Sequence, residues 1–128
     1  MATGFPASTG DVLSAAMFNG LVTFTINPQS GSTYTVANTD LYQVLVQTTN
    51  ASTKTVTIAP DSTLTSAATG SAITFLNSGA GDLTFAQGSG VTISSVGATS
   101  TAPKLGQHKS CVAIRTGANA WTIVGAIS

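Results

Sequence analysis

The feature that most constrains this chain is an alternation of apolar residues with threonine. Val22-Thr-Phe24-Thr-Ile26, Val56-Thr-Ile58, Ile73-Thr-Phe75, Leu83-Thr-Phe85 and Val91-Thr-Ile93 all carry it. Successive side chains of a strand point to opposite faces, so a period of two gives one apolar face and one hydroxylated face. Threonine is β-branched and suits a pleated surface. Leu41-Tyr-Gln-Val-Leu-Val-Gln47 is apolar on both faces and reads as a central strand. Cys111-Val-Ala-Ile-Arg115 and Trp121-Thr-Ile-Val124 read as further strands. Turn formers separate these runs: Asn27-Pro28-Gln-Ser-Gly31, Asn50-Ala-Ser52, Pro60-Asp61, Asn77-Ser-Gly-Ala-Gly81, Gln87-Gly-Ser-Gly90 and Gly117-Ala-Asn119. About nine or ten short strands at roughly ten-residue spacing predict an all-β fold, an antiparallel β-sandwich or barrel-like domain. Segments 82–87 and 90–95 are expected to form one hairpin, and 109–116 and 119–125 another. Residues 94–106 are the least periodic and read as a long surface loop or extended arm.

Residues 1–20 differ and read as an N-terminal arm with a short helix, ahead of an antiparallel β-domain at 21–128. Ser8 can cap a helix with Asp11 three residues on. Val12, Leu13, Ala16 and Met17 then recur at helical spacing, and Asn19-Gly20 ends the run. A helix of two or three turns is too short to stand alone in water. It must dock on its own domain or on a neighbour. The candidate interface residues are therefore Phe5, Pro6, Val12, Leu13, Met17 and Phe18. The start of the chain lacks the basic segment and long apolar run of a signal peptide, and nothing reaches the length of a membrane-spanning helix. Synthesis in a cytoplasm is expected.

Charge is nearly absent. Lys and Arg together number 4, Asp and Glu together 4, and they are 6% of the chain, where a soluble domain carries about 25%. Serine and threonine keep the surface wettable instead. A net charge of zero removes repulsion between copies. Exposed strand edges are usually guarded by lysine, proline or bulges, and this chain has few such guards, so partners are expected to cover them. The scattered cations give no basic face for nucleic acid and no attraction to an anionic membrane. The lone Cys111 excludes an intrachain disulfide.

Residues able to do chemistry are few. His108 is the only histidine, and Cys111 stands three residues away. A catalytic pair or a zinc site needs more ligands than these. Asp40, Asp61 and Asp82 lie at turns or strand ends, where bonds to nearby backbone are expected. No Asp-x-Asp spacing suggests calcium. Gly79-Ala-Gly81 opens no helix and is followed by no Lys-Ser/Thr, so it is not a phosphate loop. Gly88-Ser-Gly90 lacks the context of a nucleophile elbow. Trp121 reads as a core anchor, with a sugar-binding groove that also uses Tyr42 as the alternative. No catalytic residue, metal or cofactor is expected.

The stretch from Gly79 to Ile93, Gly-Ala-Gly-Asp-Leu-Thr-Phe-Ala-Gln-Gly-Ser-Gly-Val-Thr-Ile, resembles a β-module of tailed-bacteriophage virion proteins. Their pattern continues with a loop leucine, a strand ending in a basic residue, Asn-x-Trp, and a strand ending in glycine. Leu105, Arg115, Asn119, Trp121 and Gly125 match it here. Tyr34-Thr-Val and Val56-Thr-Ile-Ala-Pro60 are also similar, so the resemblance covers roughly residues 33–128. Such modules occur in capsid decoration (cement) proteins and in head- and tail-fibre proteins. The chain has no collagen-like or coiled-coil stalk, which favours the decoration class. The resemblance implies a homotrimer on the outer capsid surface, bound to the major capsid protein and made in the host cytoplasm. The alternative it leaves is a receptor- or glycan-binding module of a fibre.

Overall fold

A computed structural model of the chain describes Ala15 and residues 23–41, 43–97 and 99–128. Of the arm expected at 1–20 only Ala15 is described, and Phe5, Pro6, Val12, Leu13, Met17 and Phe18 lie outside the described residues. So do Val22 and Tyr42.

The described strands are β1 (Thr25–Gln29), β2 (Thr33–Thr35), β3 (Val44–Thr48), β4 (Lys54–Ile58), β5 (Ala72–Asn77), β6 (Leu83–Gln87), β7 (Thr92–Ser95), β8 (Lys104–Leu105), β9 (Lys109–Gly117) and β10 (Ala120–Gly125). They form a six-stranded sheet in the order β1-β3-β5-β9-β10-β7 and a four-stranded sheet in the order β2-β4-β6-β8. The first six strands alternate between the sheets. β1, β3 and β5 pair in parallel in one, and β2, β4 and β6 pair in parallel in the other. The chain thus winds through three stacked coils, each giving one strand to each sheet. Among the described residues no helix is long and apolar enough to cross a membrane.

This corrects the expected antiparallel arrangement. Alternation marks a strand with one buried face and carries no information about the direction of its neighbour. Parallel pairing needs a crossover of a dozen or so residues, and here the crossover runs through the opposite sheet. The expected 82–87/90–95 hairpin is absent for the same reason: β6 and β7 belong to different sheets. The second expected hairpin is present as β9 and β10, antiparallel with Trp121 opposite Arg115 and Ile123 opposite Ala113. This hairpin lies between β5 and β7. β9 runs antiparallel to β5, and β10 runs parallel to β7. The 94–106 loop carries the two-residue strand β8, antiparallel to β6.

The glycine-rich stretches are corners where one coil stacks on the next. A Cβ on Gly81 would lie 2.3 Å from the Ser52 carbonyl carbon, and one on Gly88 would lie 2.5 Å from the Ile58 carbonyl oxygen. Real side chains cannot approach backbone so closely, so only glycine lets these corners nest. The buried Lys54 ammonium staples the first corner, donating to the carbonyls of Asn50 (2.6 Å) and Gly81 (2.8 Å). Burial pulls the Lys54 pKa below the ordinary lysine value, against a smaller opposing effect of Asp82. Asn77, also buried, donates to Gly81 and Leu105 carbonyls at 2.9 Å each.

The core fills the space between the sheets. The larger sheet supplies Val46, Ile73, Phe75, Cys111, Ala113, Trp121, Ile123 and Ile93; the smaller supplies Val56, Ile58, Leu83, Phe85 and Leu105. Phe75 and Phe85 meet edge to face with ring centroids 4.9 Å apart, the geometry aromatic pairs favour. At the β1 end the core closes on polar groups. Asn27 donates to Asp40 (2.7 Å) and to the Tyr34 hydroxyl oxygen (3.1 Å), while the Tyr34 hydroxyl and the Ala37 N–H donate to Asp40. Burial, reinforced by Asp40, pushes the Tyr34 pKa up to about 12.

Candidate functional site

Cys111, Asp40 and Asp61 are engaged by the fold, while His108 is exposed. Cys111 points into the core at 2% exposure, and burial pushes its thiol up to about 12. That thiol stays protonated and unreactive at neutral pH. His108 occupies the turn before β9 with a φ of 62°. Asp40 is bound as described above. Asp61 accepts bonds from Arg115 Nε (3.1 Å) and Nη2 (2.7 Å) and from the Asn119 N–H (3.0 Å). The Asn119 side-chain oxygen accepts from the Asp61 N–H at 2.8 Å. The Arg115 bonds hold the Asp61 carboxyl below its ordinary value. Among the described residues no group of three or more His, Cys, Asp or Glu side chains could hold a metal.

The residues that carry the phage resemblance are likewise structural. Arg115 and Asn119 grip Asp61 and so tie the β4–β5 connection to the β9–β10 turn. Leu105 and Trp121 are buried in the core. Gly125 has a φ of +132°, and a Cβ there would lie 2.7 Å from Cys111 Cα. The pattern therefore describes how this fold closes. Trp121, 1% exposed, cannot form the sugar-stacking surface weighed for it.

Among the described residues, the strands present the outside of the two sheets to a partner. On the larger sheet, Ile26, Leu45, Thr74, Val112 and Val124 are register partners across five strands. A flanking row runs Pro28–Gln47–Leu76–Ser110, and another runs Ala72–Ile114–Thr122–Ser94. Ile26 is 50% exposed, Val124 is 45% exposed, and Phe24, just before β1, is 48% exposed. Phe24 and Ile26, read as inward residues of an alternating strand, thus face outward. The inward position between them and the β1 end is taken by Asn27. No charged residue stands in these rows.

On the smaller sheet, the outward rows are Thr33–Thr55–Thr84–Lys104 and Thr35–Thr57–Ala86. One face is aliphatic with scattered hydroxyls, and the other is nearly all threonine. Sequence reading missed the aliphatic face, although a signal existed. Leu45, Leu76, Val112, Ile114 and Val124 are the apolar residues at the parity opposite the core positions.

The edge beside the aliphatic face is guarded. The Thr25 N–H donates to Gln43 and the Gln29 carbonyl accepts from Thr49, so positions 26 and 28 turn their backbone to the free side. Pro28 removes a donor there, the usual way to blunt an edge.

No family model matches the chain, and neither a curated protein nor a solved structure matches it.

Proposed function

We propose that the chain is a non-enzymatic structural protein of a tailed-phage particle: a capsid decoration (cement) protein seated on the outer surface of the assembled head, against the major capsid protein. The observation that carries this reading is the uncharged, partly aliphatic outside of the six-stranded sheet. Contiguous exposed apolar surface on a small domain marks a place for a protein partner. The virion-module resemblance over residues 33–128 supports the class of particle. Mechanistically, a protein that binds only the expanded lattice stabilises that lattice by mass action, in proportion to its occupancy. The glycan-binding alternative has lost its Trp121 platform.

The test is direct. Purified protein is mixed with expanded heads and with unexpanded shells, co-sedimented, and the heads are melted. Retention on expanded heads and a higher melting temperature are expected. Deleting residues 1–20 is expected to abolish retention, because that arm supplies the expected docking residues. A protein that sediments with no viral shell at saturating concentration sinks the proposal.

A further inference from the structure

We infer that the outer face of the six-stranded sheet is an isologous, two-fold contact with a second copy of this chain. The argument starts from the order of residues along the central row. Read from β1 it runs Ile26, Leu45, Thr74, Val112, Val124; read from β10 it runs aliphatic, aliphatic, threonine, aliphatic, aliphatic again. A two-fold axis along the strand direction above Thr74 sets Ile26 against Val124 of the other copy. It sets Leu45 against Val112, and Thr74 against its own equivalent. In a two-fold contact residue i meets j and j meets i, so such a surface must complement itself. A row of near-palindromic chemistry does so.

Two further observations favour a copy over another kind of partner. The rows hold no charge, so turning the face upon itself brings no like charges together, and a charged partner has nothing to read. The neighbouring β1 edge is blunted by Pro28, which disfavours strand addition on that side, and face-to-face packing sets sheets about 10 Å apart. The size of the face sets the strength. Five strand spacings by about five residues span roughly 24 by 17 Å, or roughly 400 Å². A standard interface covers about 800 Å² per partner. The pairing is therefore weak in free solution. It claims the face on which the capsid reading rests, so a copy seated there leaves the expected arm at 1–20 to meet the shell, and it differs from the three-copy ring the resemblance implies.

Sedimentation equilibrium from about 10 µM to about 1 mM tests it. A reversible monomer–dimer equilibrium is expected. The double variant Ile26→Lys/Val124→Lys changes two exposed positions that face each other across the axis, and should raise the dissociation constant by about tenfold or more. Its circular dichroism and melting should match the parent. Thr57→Lys on the opposite sheet should leave the equilibrium unchanged. As an independent readout, a short bis-maleimide should link Thr74→Cys into a covalent dimer and leave Thr84→Cys monomeric, Cys111 being buried and inert. A monomer at the highest concentration, an assembly of three, or a dimer indifferent to Ile26→Lys/Val124→Lys would each overturn the inference.

Discussion

The two sheets are alike inside and unlike outside. Each gives every second residue to one shared core, and those positions are mostly Val, Ile, Leu, Phe or Trp, with Cys111 and Ala113 on β9. On the outside, the four-stranded sheet shows Thr33, Thr55, Thr84, Thr35 and Thr57, while the six-stranded sheet shows Ile26, Leu45, Leu76, Val112, Ile114 and Val124. Inward positions specify the coil; outward positions are free of that demand and decide only what the coil can touch. The threonine face suits water, and the aliphatic face suits another protein.

The largest expected effects test the shared interior. Phe75→Ala and Phe85→Ala come from different sheets but remove the same edge-to-face contact, and each should cost about 3–5 kcal/mol. Urea midpoints at constant slope measure this. A cost for Phe85→Ala far below that of Phe75→Ala would mean that the smaller sheet leans on the core less than its burial implies. Next comes Lys54→Ala, which takes this donor from the Asn50 carbonyl and leaves the Gly81 carbonyl with Asn77, and should cost about 1–3 kcal/mol by the same assay. Smaller still is an exchange of the faces themselves. Thr55→Val with Thr84→Val should change monomer stability by no more than about 0.5 kcal/mol for each site, yet confer concentration-dependent association on the formerly wettable side, read by light scattering. If no association appears, side-chain polarity is not what separates the two faces.

The smallest effect is acid sensitivity. Asp61 is depressed in the folded protein, chiefly by its Arg115 bonds. Its stabilising contribution is therefore full above the unfolded value, about 3.9, and is lost as pH falls through the lower folded value. Asp61→Asn should remove that component from an acid melting series. Association through the six-stranded face, which presents no titratable side chain, should stay flat over about pH 5–8.

The sequence located most strands because alternation is a local property. Val56–Ile58, Ile73–Phe75, Leu83–Phe85 and Trp121–Val124 all fall in strands, and the β9–β10 hairpin was legible because Gly117-Ala-Asn119 is a tight turn, Asn119 adopting a φ of 50°. Strand direction was not legible. Gly88-Ser-Gly90 has the composition of a hairpin turn, and only the nearness of Ile58, thirty positions upstream, makes it a stacked corner. The aliphatic face was half visible. The strand at 41–47 stood out as apolar on both sides, and the same trait in Leu76, Val112 and Val124 would have placed their strands in the same sheet. The docking residues expected at 1–20 lie outside the described residues.

The place of the β9–β10 hairpin has a consequence for how the protein acquires its shape. β7 leaves the ribosome before the strand that will be its neighbour, and the slot beside β5 must be taken by β9 and β10 before β7 has anything to pair with. That end of the sheet depends on contacts made across long stretches of chain, the kind that slow a search. A nascent chain stopped at residue 118 would hold its three coils with β7 unattached, so the arrival of β10 is the step that commits this end of the sheet.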